Sequence, residues 1–153
     1  MSAGLGLLHV SDRVVPYEAT FSSMPYCHRA KWHRLTTRPP TERRSASLRA
    51  LMHERPRDRI IIAASPAYLQ AVEEDLCADR EELASTALLT IVSSKGYRGS
   101  LRESVTLTSA AMMKTMNTNM TCLNTSYAVK LLDLQSNKIV RSYKQDGGNI
   151  NEC

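Results

Sequence analysis

The residue types that could perform chemistry are densest near the start of the chain, in residues 2–21 (SAGLGLLHVSDRVVPYEATF). Gly4 and Gly6 supply backbone that can approach a ligand closely, because glycine carries no Cβ. Asp12, with His9, and the hydroxyl of Tyr17 are groups of the kind that carry out acid–base catalysis. Because the segment matches no catalytic motif, we assign no catalytic residue. We predict instead that Gly4, Gly6, Asp12 and Tyr17 form one rim of a ligand pocket.

A second polar loop, residues 93–100 (SSKGYRGS), follows an apolar segment further along the chain. Its composition is typical of loops that hold phosphate groups, with Ser94, Lys95, Gly96 and Arg98 as the predicted ligand contacts. It lacks the spacing of a Walker A motif, and an ordinary surface turn is the alternative. Since loops that follow parallel strands meet at one edge of the sheet, we expect this loop to complete the pocket.

The distribution of charge is uneven, although the net charge is only +5. Residues 1–59 contain eleven basic and five acidic side chains, residues 73–82 are acidic, and residues 95–144 are basic again. Basic segments attract nucleic acid through the release of counterions. The predicted nucleic-acid contacts are Arg43, Arg44, Arg49 and Arg102. Solvated helix faces, or internal pairing between basic and acidic segments, are the alternative explanations.

Several functional classes have little support in the sequence. Cys27, Cys77, Cys122 and Cys153 show no C-x-x-C spacing, which favours free thiols in the cytoplasm over a disulfide scaffold or a zinc site. Cys27-His28 with His33 could bind a metal, but a mixed helix surface is the favoured interpretation, so we predict no metal. No apolar run approaches the roughly 20 residues of a membrane span. Gly4-Leu5-Gly6 is only half a dinucleotide fingerprint, so we expect no cofactor.

The elements that must position these residues alternate between strands and helices. Strands are expected near residues 5–10, 59–64 and 87–92, and a short edge strand at 138–143 after a turn at Ser136-Asn137. Helices are expected from Ser23-Met24-Pro25, Thr41, Pro66, Thr108 and Asn124 or Thr125. This order predicts a small α/β domain with a mainly parallel sheet flanked by helices, spanning residues 1–144, with a flexible tail at 145–153. Residues 59–64 and 87–92 should pair in parallel across the helix that begins at Pro66.

Two side-chain environments follow from this arrangement. On the helix from Pro66, the carboxylates of Glu73, Glu74 and Asp75 are expected to face solvent. Trp32 lies among basic residues, where it could form a stacking platform for a nucleobase. The alternative is that its indole packs on the edge of the core.

Residues 2–8 (SAGLGLL), Asp12 and residues 16–21 (PYEATF) resemble a pattern found in the YaaA-like peroxide-stress proteins and their small relatives. Segments of deazapurine nucleic-acid modification proteins are also similar, and residues 59–72 and the Leu123-Asn124 region show a looser similarity. The resemblance implies a role in DNA damage response or nucleobase modification. Relatives carry a strand and a Cys- or Ser-containing loop before this pattern, so the resemblance implies a missing first strand.

The function predicted from the sequence is therefore a nucleic-acid-associated protein that binds DNA or RNA through its basic segments. Two alternatives stay open at this point. One is a small α/β enzyme that acts on a nucleotide or another phosphate-containing ligand. The other is a non-catalytic remnant from a mobile or phage locus. No oligomeric state is assigned.

Overall fold

The central element of the fold is a three-stranded parallel sheet. The structure is a computed structural model that describes residues 1–14, 20–38 and 47–146. The strands are β1 (Ile60–Ala63), β2 (Leu89–Ser94) and β3 (Val105–Thr108), and they lie side by side in the order β1-β2-β3. Ile62 pairs with Ile91, and Ile91 pairs with Val105. The predicted α/β class and the parallel pairing of the first two of these strands are confirmed.

The unit from β1 through α3 (Pro66–Asp79) to β2 follows directly from local sequence. The β-branched run of β1 suits a strand covered on both faces. Ser65 then stands at the N-cap and Pro66 at the first helical position, where the missing N–H has no intrahelical partner to lose. Leu69, Val72 and Leu76 recur at helical spacing and are fully buried against the sheet.

Two shorter helices, α1 (His28–Thr37) and α2 (Leu48–Glu54), pack against α3 on the side away from the sheet. The predicted start of α1 at Ser23 is wrong, since Phe21–Ser23 form a separate 3₁₀ turn. Met24 is extended because it precedes a proline, and the helix begins only after Cys27. Ser47 caps α2 by accepting a 3.0 Å hydrogen bond from the Ala50 amide. The predicted helix start at Thr41 lies outside the described residues.

The opening residues form a compact turn, so the strand predicted at residues 5–10 is wrong. Ser2 and Gly6 exchange two backbone hydrogen bonds of 2.8 and 3.0 Å. The Ser2 hydroxyl also accepts a 3.0 Å hydrogen bond from the Leu5 amide. Gly6 has a φ of 76°, in the left-handed region that glycine adopts at little cost. This reversal prevents the extended conformation that the apolar residues around it would otherwise favour.

The sequence did not reveal β3, which is joined to β2 by residues 95–104, here called the crossover loop. A connection between parallel strands usually needs a dozen or more residues and contains a helix. The crossover loop is shorter and contains only a 3₁₀ turn at Arg102–Ser104. It compensates by burying Tyr97 and Leu101 in the same apolar cluster as α3.

The opposite face of the sheet is covered by α5 (Leu123–Asp146), which contacts all three strands. Before it, residues 110–112 form a 3₁₀ turn and α4 (Met113–Met116) ends at Asn117, whose φ is 47°. The predicted turn at Ser136-Asn137 and the edge strand at 138–143 are wrong, because α5 runs through both. Residues 123–146 contain no glycine or proline, so nothing in them interrupts a helix.

The predicted tail at 145–153 begins with the last two residues of α5, and the rest of it lies outside the described residues. Among the helices that the structure describes, none combines the length and apolar character needed to cross a membrane.

Candidate functional site

The most unusual side chain in the described chain is Glu73 of α3, which is buried with only 7% of its surface exposed. The backbone amide and the hydroxyl of Ser100 both donate hydrogen bonds to its Oε1, each at 2.5 Å. A buried carboxylate is costly unless hydrogen bonds satisfy it. The prediction that Glu73 faces solvent is therefore wrong, because the crossover loop covers it and supplies its hydrogen-bond donors.

Tyr97 and Gly99 complete the contact between the crossover loop and α3. The hydroxyl of fully buried Tyr97 donates to Glu73 and accepts a 3.3 Å hydrogen bond from the Leu101 amide. A Cβ at Gly99 would overlap the Tyr97 hydroxyl and the Glu73 carboxylate. Glycine is therefore required at residue 99 by the close approach of the tyrosine rather than by its own backbone angles.

The same contacts shift two pKa values in opposite directions. Burial alone would raise the pKa of Glu73, but the hydrogen bonds from Ser100 and Tyr97 and the charge of Arg29 outweigh it, so the pKa is lowered. Burial raises the pKa of Tyr97 to about 12, and the neighbouring Glu73 carboxylate contributes to the increase. Glu73 is thus an anion and Tyr97 a neutral hydrogen-bond donor at neutral pH, and neither has the near-neutral pKa of a general acid or base.

A groove with a volume of about 530 Å³ lies beside this cluster, between the start of α1, the middle of α3 and the crossover loop. Its lining is mainly polar: Cys27, His28, Arg29, Gln70, Glu73, Arg98, Gly99 and Ser100. We call it the α1–crossover groove. Small-ligand sites commonly occupy about 300–1,000 Å³, so the groove is large enough for a nucleotide.

The exposed charge of the α1–crossover groove is positive. Arg98 is exposed, and within the described residues no carboxylate lies within salt-bridge distance of it. Arg29 lies 3.0 Å from Glu74, an exposed pair that solvent weakens. The groove lining contains one carboxylate, Glu73, whose Oε1 accepts both hydrogen bonds from Ser100. The lining therefore contains two arginines, Arg29 and Arg98, and one carboxylate.

A second polar cluster joins the carboxyl ends of the three strands. Asn124, near the start of α5, donates a 2.9 Å hydrogen bond to the carbonyl of Ala64, just after β1. Its Oδ1 lies 2.6 Å from the Thr108 hydroxyl at the end of β3, and that hydroxyl lies 3.3 Å from the carbonyl of Ser93 in β2. These bonds satisfy polar groups at the sheet edge where open α/β sheets place ligands, although the buried Ser93 Oγ near the same edge has no hydrogen-bond partner among the described residues.

Of the first predicted rim, Gly4 and Gly6 lie in the opening turn and Asp12 lies in a separate turn after His9, and none of these three lines the α1–crossover groove. A Cβ at Gly6 would lie 3.6 Å from the Leu35 Cβ, so this turn packs beside α1. Gly4 donates a 3.3 Å hydrogen bond to the Ser2 hydroxyl, and the Asp12 carboxylate accepts one from the His9 amide. Tyr17 lies outside the described residues. The shared pocket of this rim and the 93–100 loop stays a prediction.

The residues predicted in the second loop have divided roles. Ser94 ends β2, and a Cβ at Gly96 would lie 3.5 Å from the ring of Pro66, an ordinary contact at the start of α3. Lys95 is exposed at the start of the crossover loop. Arg98 alone of this predicted set lines the α1–crossover groove.

The predicted nucleic-acid contacts are similarly dispersed. Arg49 donates two hydrogen bonds, of 2.9 and 3.1 Å, to Glu82, which lies beyond the C-terminal end of α3. The groove lies along the middle of that helix. Arg102 is exposed in the last part of the crossover loop. Arg43 and Arg44 lie outside the described residues.

The other candidates from the sequence have structural explanations. Trp32 is buried and donates a 2.6 Å hydrogen bond to Asp75, so it packs in the core and is not a stacking platform. The prediction that Asp75 faces solvent is also wrong, because its carboxylate accepts this hydrogen bond from the buried indole. Among the described residues, no group of His, Cys, Asp and Glu side chains has the arrangement of a metal site.

Sequence reasoning missed Glu73 and Asn124, the two residues that organise the polar clusters. One local signal for Glu73 existed, since Val72, Glu73 and Leu76 share one side of α3 at helical spacing. Asn124 carried no comparable signal, because its partners Ala64 and Thr108 are distant in sequence.

No family model, curated protein or solved structure matches this chain. The resemblance to the YaaA-like proteins therefore stays a prediction, and a function for the chain has to be argued from its own geometry and charge.

Proposed function

We propose that this protein binds nucleic acid, with the phosphate backbone held at the α1–crossover groove. The observation that carries the proposal is the placement of Arg98. Its guanidinium lines a groove large enough for a nucleotide and, within the described residues, has no carboxylate partner. Arginine binds phosphate oxygens in a bidentate manner, and phosphate contacts supply most of the affinity in non-specific nucleic-acid binding.

The sequence of α1 extends this positive surface beyond the groove. The helix contains basic residues and no Asp or Glu, and its first two residues, His28 and Arg29, line the groove. Arg34 is exposed later in the same helix. Lys95 is exposed at the start of the crossover loop, which also carries Arg98. A nucleic-acid strand is longer than one nucleotide, and these flanking charges would contact its neighbouring phosphates.

The test is a fluorescence-anisotropy titration of labelled DNA and RNA oligonucleotides at low salt. The double variant Lys95→Ala/Arg98→Ala should weaken binding at least about tenfold, since each phosphate contact contributes to affinity. The matched control is Arg57→Ala/Arg80→Ala, which removes the same charge from exposed residues outside the groove. Equal losses in the two double variants would show that only net charge matters and would contradict the proposed site.

A small α/β enzyme that acts on a nucleotide is the second candidate, because the volume of the groove also suits a single nucleotide. Competition separates the two. A mononucleotide should displace the oligonucleotide only at concentrations far above those at which an unlabelled oligonucleotide does. Displacement by the mononucleotide at comparable concentration would favour the small-ligand function.

We further propose that the protein works in the cytoplasm. The support is chemical: Cys27, Cys77 and Cys122 are free thiols, and free thiols persist where the environment is reducing. The role in DNA damage response or nucleobase modification, which the resemblance implies, is compatible with nucleic-acid binding and is part of the same proposal.

A further inference from the structure

An exposed aromatic residue directly precedes the lining of the α1–crossover groove in the chain. Tyr26 is 62% exposed and immediately precedes Cys27, the first residue of the groove lining. Single exposed aromatic side chains are ordinary on protein surfaces, but this one directly precedes, in the chain, a groove lined by two arginines. Aromatic rings next to cationic side chains commonly bind single-stranded nucleic acid by base stacking.

The segment that carries Tyr26 is fixed at both ends by ring contacts. Phe21 is fully buried and packs edge-on against Tyr68 of α3, with ring centroids 4.8 Å apart. The same Phe21 ring lies 5.7 Å from the ring of His28, the first residue of α1. Phe21 therefore holds the beginning and the end of the segment together. Tyr26 lies between these anchors, outside the apolar cluster they join.

We propose that Tyr26 stacks on a base of single-stranded nucleic acid while the adjoining phosphate lies in the α1–crossover groove against Arg98. This inference rests on the proposed function and adds that the nucleic acid bound is single-stranded. In a duplex, the faces of the bases are covered by their neighbours, so a tyrosine ring cannot reach them without unstacking a base pair. A single strand exposes those faces, and stacking on them tolerates any base sequence.

The experiment compares oligonucleotides of equal length and charge that differ only in their bases. One carries ordinary bases with a 2-aminopurine at its centre, and the other is abasic throughout its central part. The wild-type protein should bind the base-bearing strand about five- to 150-fold more tightly than the abasic strand, the range that one stacked base typically contributes. Binding should also quench the 2-aminopurine fluorescence. The titrations are run with both DNA and RNA oligonucleotides, which shows which of the two nucleic acids the protein binds more tightly.

Two variants assign the effect to the ring. Tyr26→Ala should bind the base-bearing and abasic strands equally and should lose the quenching, while Tyr26→Phe should keep both properties because it keeps the ring. Since Tyr26 lies outside the core, both variants should unfold at the same urea concentration as the wild type within error. A loss in Tyr26→Phe as large as in Tyr26→Ala would assign the contact to the hydroxyl and overturn the stacking proposal.

The outcomes also separate this inference from the proposed function. If neither oligonucleotide binds at low salt, the proposed function fails. If the wild type binds both with equal affinity, or binds a duplex more tightly than the base-bearing single strand, nucleic-acid binding stands and base stacking on Tyr26 is wrong.

Discussion

Glu73 of α3 and Ser100 of the crossover loop are joined by two hydrogen bonds, one from the amide and one from the hydroxyl of the serine, each 2.5 Å long. They connect a helix to a loop that has no regular structure of its own apart from one 3₁₀ turn. The groove wall contributed by Arg98 and Gly99 lies next to this contact. The geometry of the candidate site therefore depends on a carboxylate that lies almost wholly beneath the surface.

Removing this carboxylate should destabilise the whole domain. Glu73→Ala leaves the Ser100 amide and the Tyr97 hydroxyl without an acceptor, and we expect a loss of about 2–4 kcal/mol in the free energy of unfolding. The measurement is urea denaturation followed by circular dichroism. Glu74→Ala is the control, since Glu74 is exposed and its ion pair among the described residues is with Arg29, and it should change stability by less than about 0.5 kcal/mol. Similar losses in the two variants would contradict the assigned role of Glu73.

The contribution of Glu73 should depend on pH in a defined direction. Its pKa is lowered in the folded protein from the ordinary value of 4.5. A carboxylate of this kind adds stability above its unfolded pKa, and that stability is lost as the pH falls through the folded pKa. The difference in unfolding free energy between the wild type and Glu73→Gln should therefore be constant near neutral pH and shrink below about pH 4.5. A difference that grows on acidification would show that the folded protein raises this pKa.

The two glycines of the crossover loop should respond differently to the same substitution. Gly99→Ala places a methyl group against the Tyr97 hydroxyl and the Glu73 carboxylate, and we expect a loss of about 1–3 kcal/mol or a displaced loop. Gly96→Ala places the methyl at an ordinary 3.5 Å contact with Pro66 and should cost less than about 0.5 kcal/mol. Thermal denaturation of both variants decides, and an equal cost at the two positions would show that the close approach of Tyr97 does not constrain residue 99.

Asn124 should be needed to hold the carboxyl ends of the strands against α5. Asn124→Ala removes the donor to the Ala64 carbonyl and the acceptor for Thr108, with an expected loss of about 1–3 kcal/mol. Thr125→Ala changes the exposed neighbouring residue on the same helix and is the control, with an expected change within about 0.5 kcal/mol. Native-state hydrogen exchange should show faster exchange of the β1 and β3 amides in Asn124→Ala only. Unchanged exchange would contradict the connection.

The part of the fold that could be predicted from sequence is the part encoded by contiguous residues. The β-branched run at Ile60–Ala63 and the Ser65-Pro66 pair specify β1 and the start of α3 with no help from distant residues. The second strand was predicted two residues early, because residues 86–88 form a 3₁₀ turn in which Ser85 accepts a hydrogen bond from the Ala87 amide. An apolar run alone does not distinguish such a turn from the first residues of a strand.

The features that were missed depend on tertiary contacts. The short β3 has two exposed or half-buried positions among its four residues, and its pairing partner is β2. The opening turn is a local exception, because Gly6 allows a turn where the apolar residues around it favour a strand. The candidate groove, like β3, depends on tertiary contacts. The loop composition predicts Arg98 as a ligand contact, whereas the hydrogen bonds of Glu73 form only when the crossover loop lies over α3.

The salt dependence of oligonucleotide binding by the wild type and Arg98→Ala tests the central claim most directly. If Arg98 contacts a phosphate at the α1–crossover groove, the wild-type affinity should fall steeply with salt. The slope of log K against log salt should become shallower by about 0.7–0.9 in Arg98→Ala and be unchanged in the control Arg57→Ala. A wild-type affinity that does not vary with salt, or an Arg98→Ala slope equal to that of the wild type, would contradict phosphate binding at this groove.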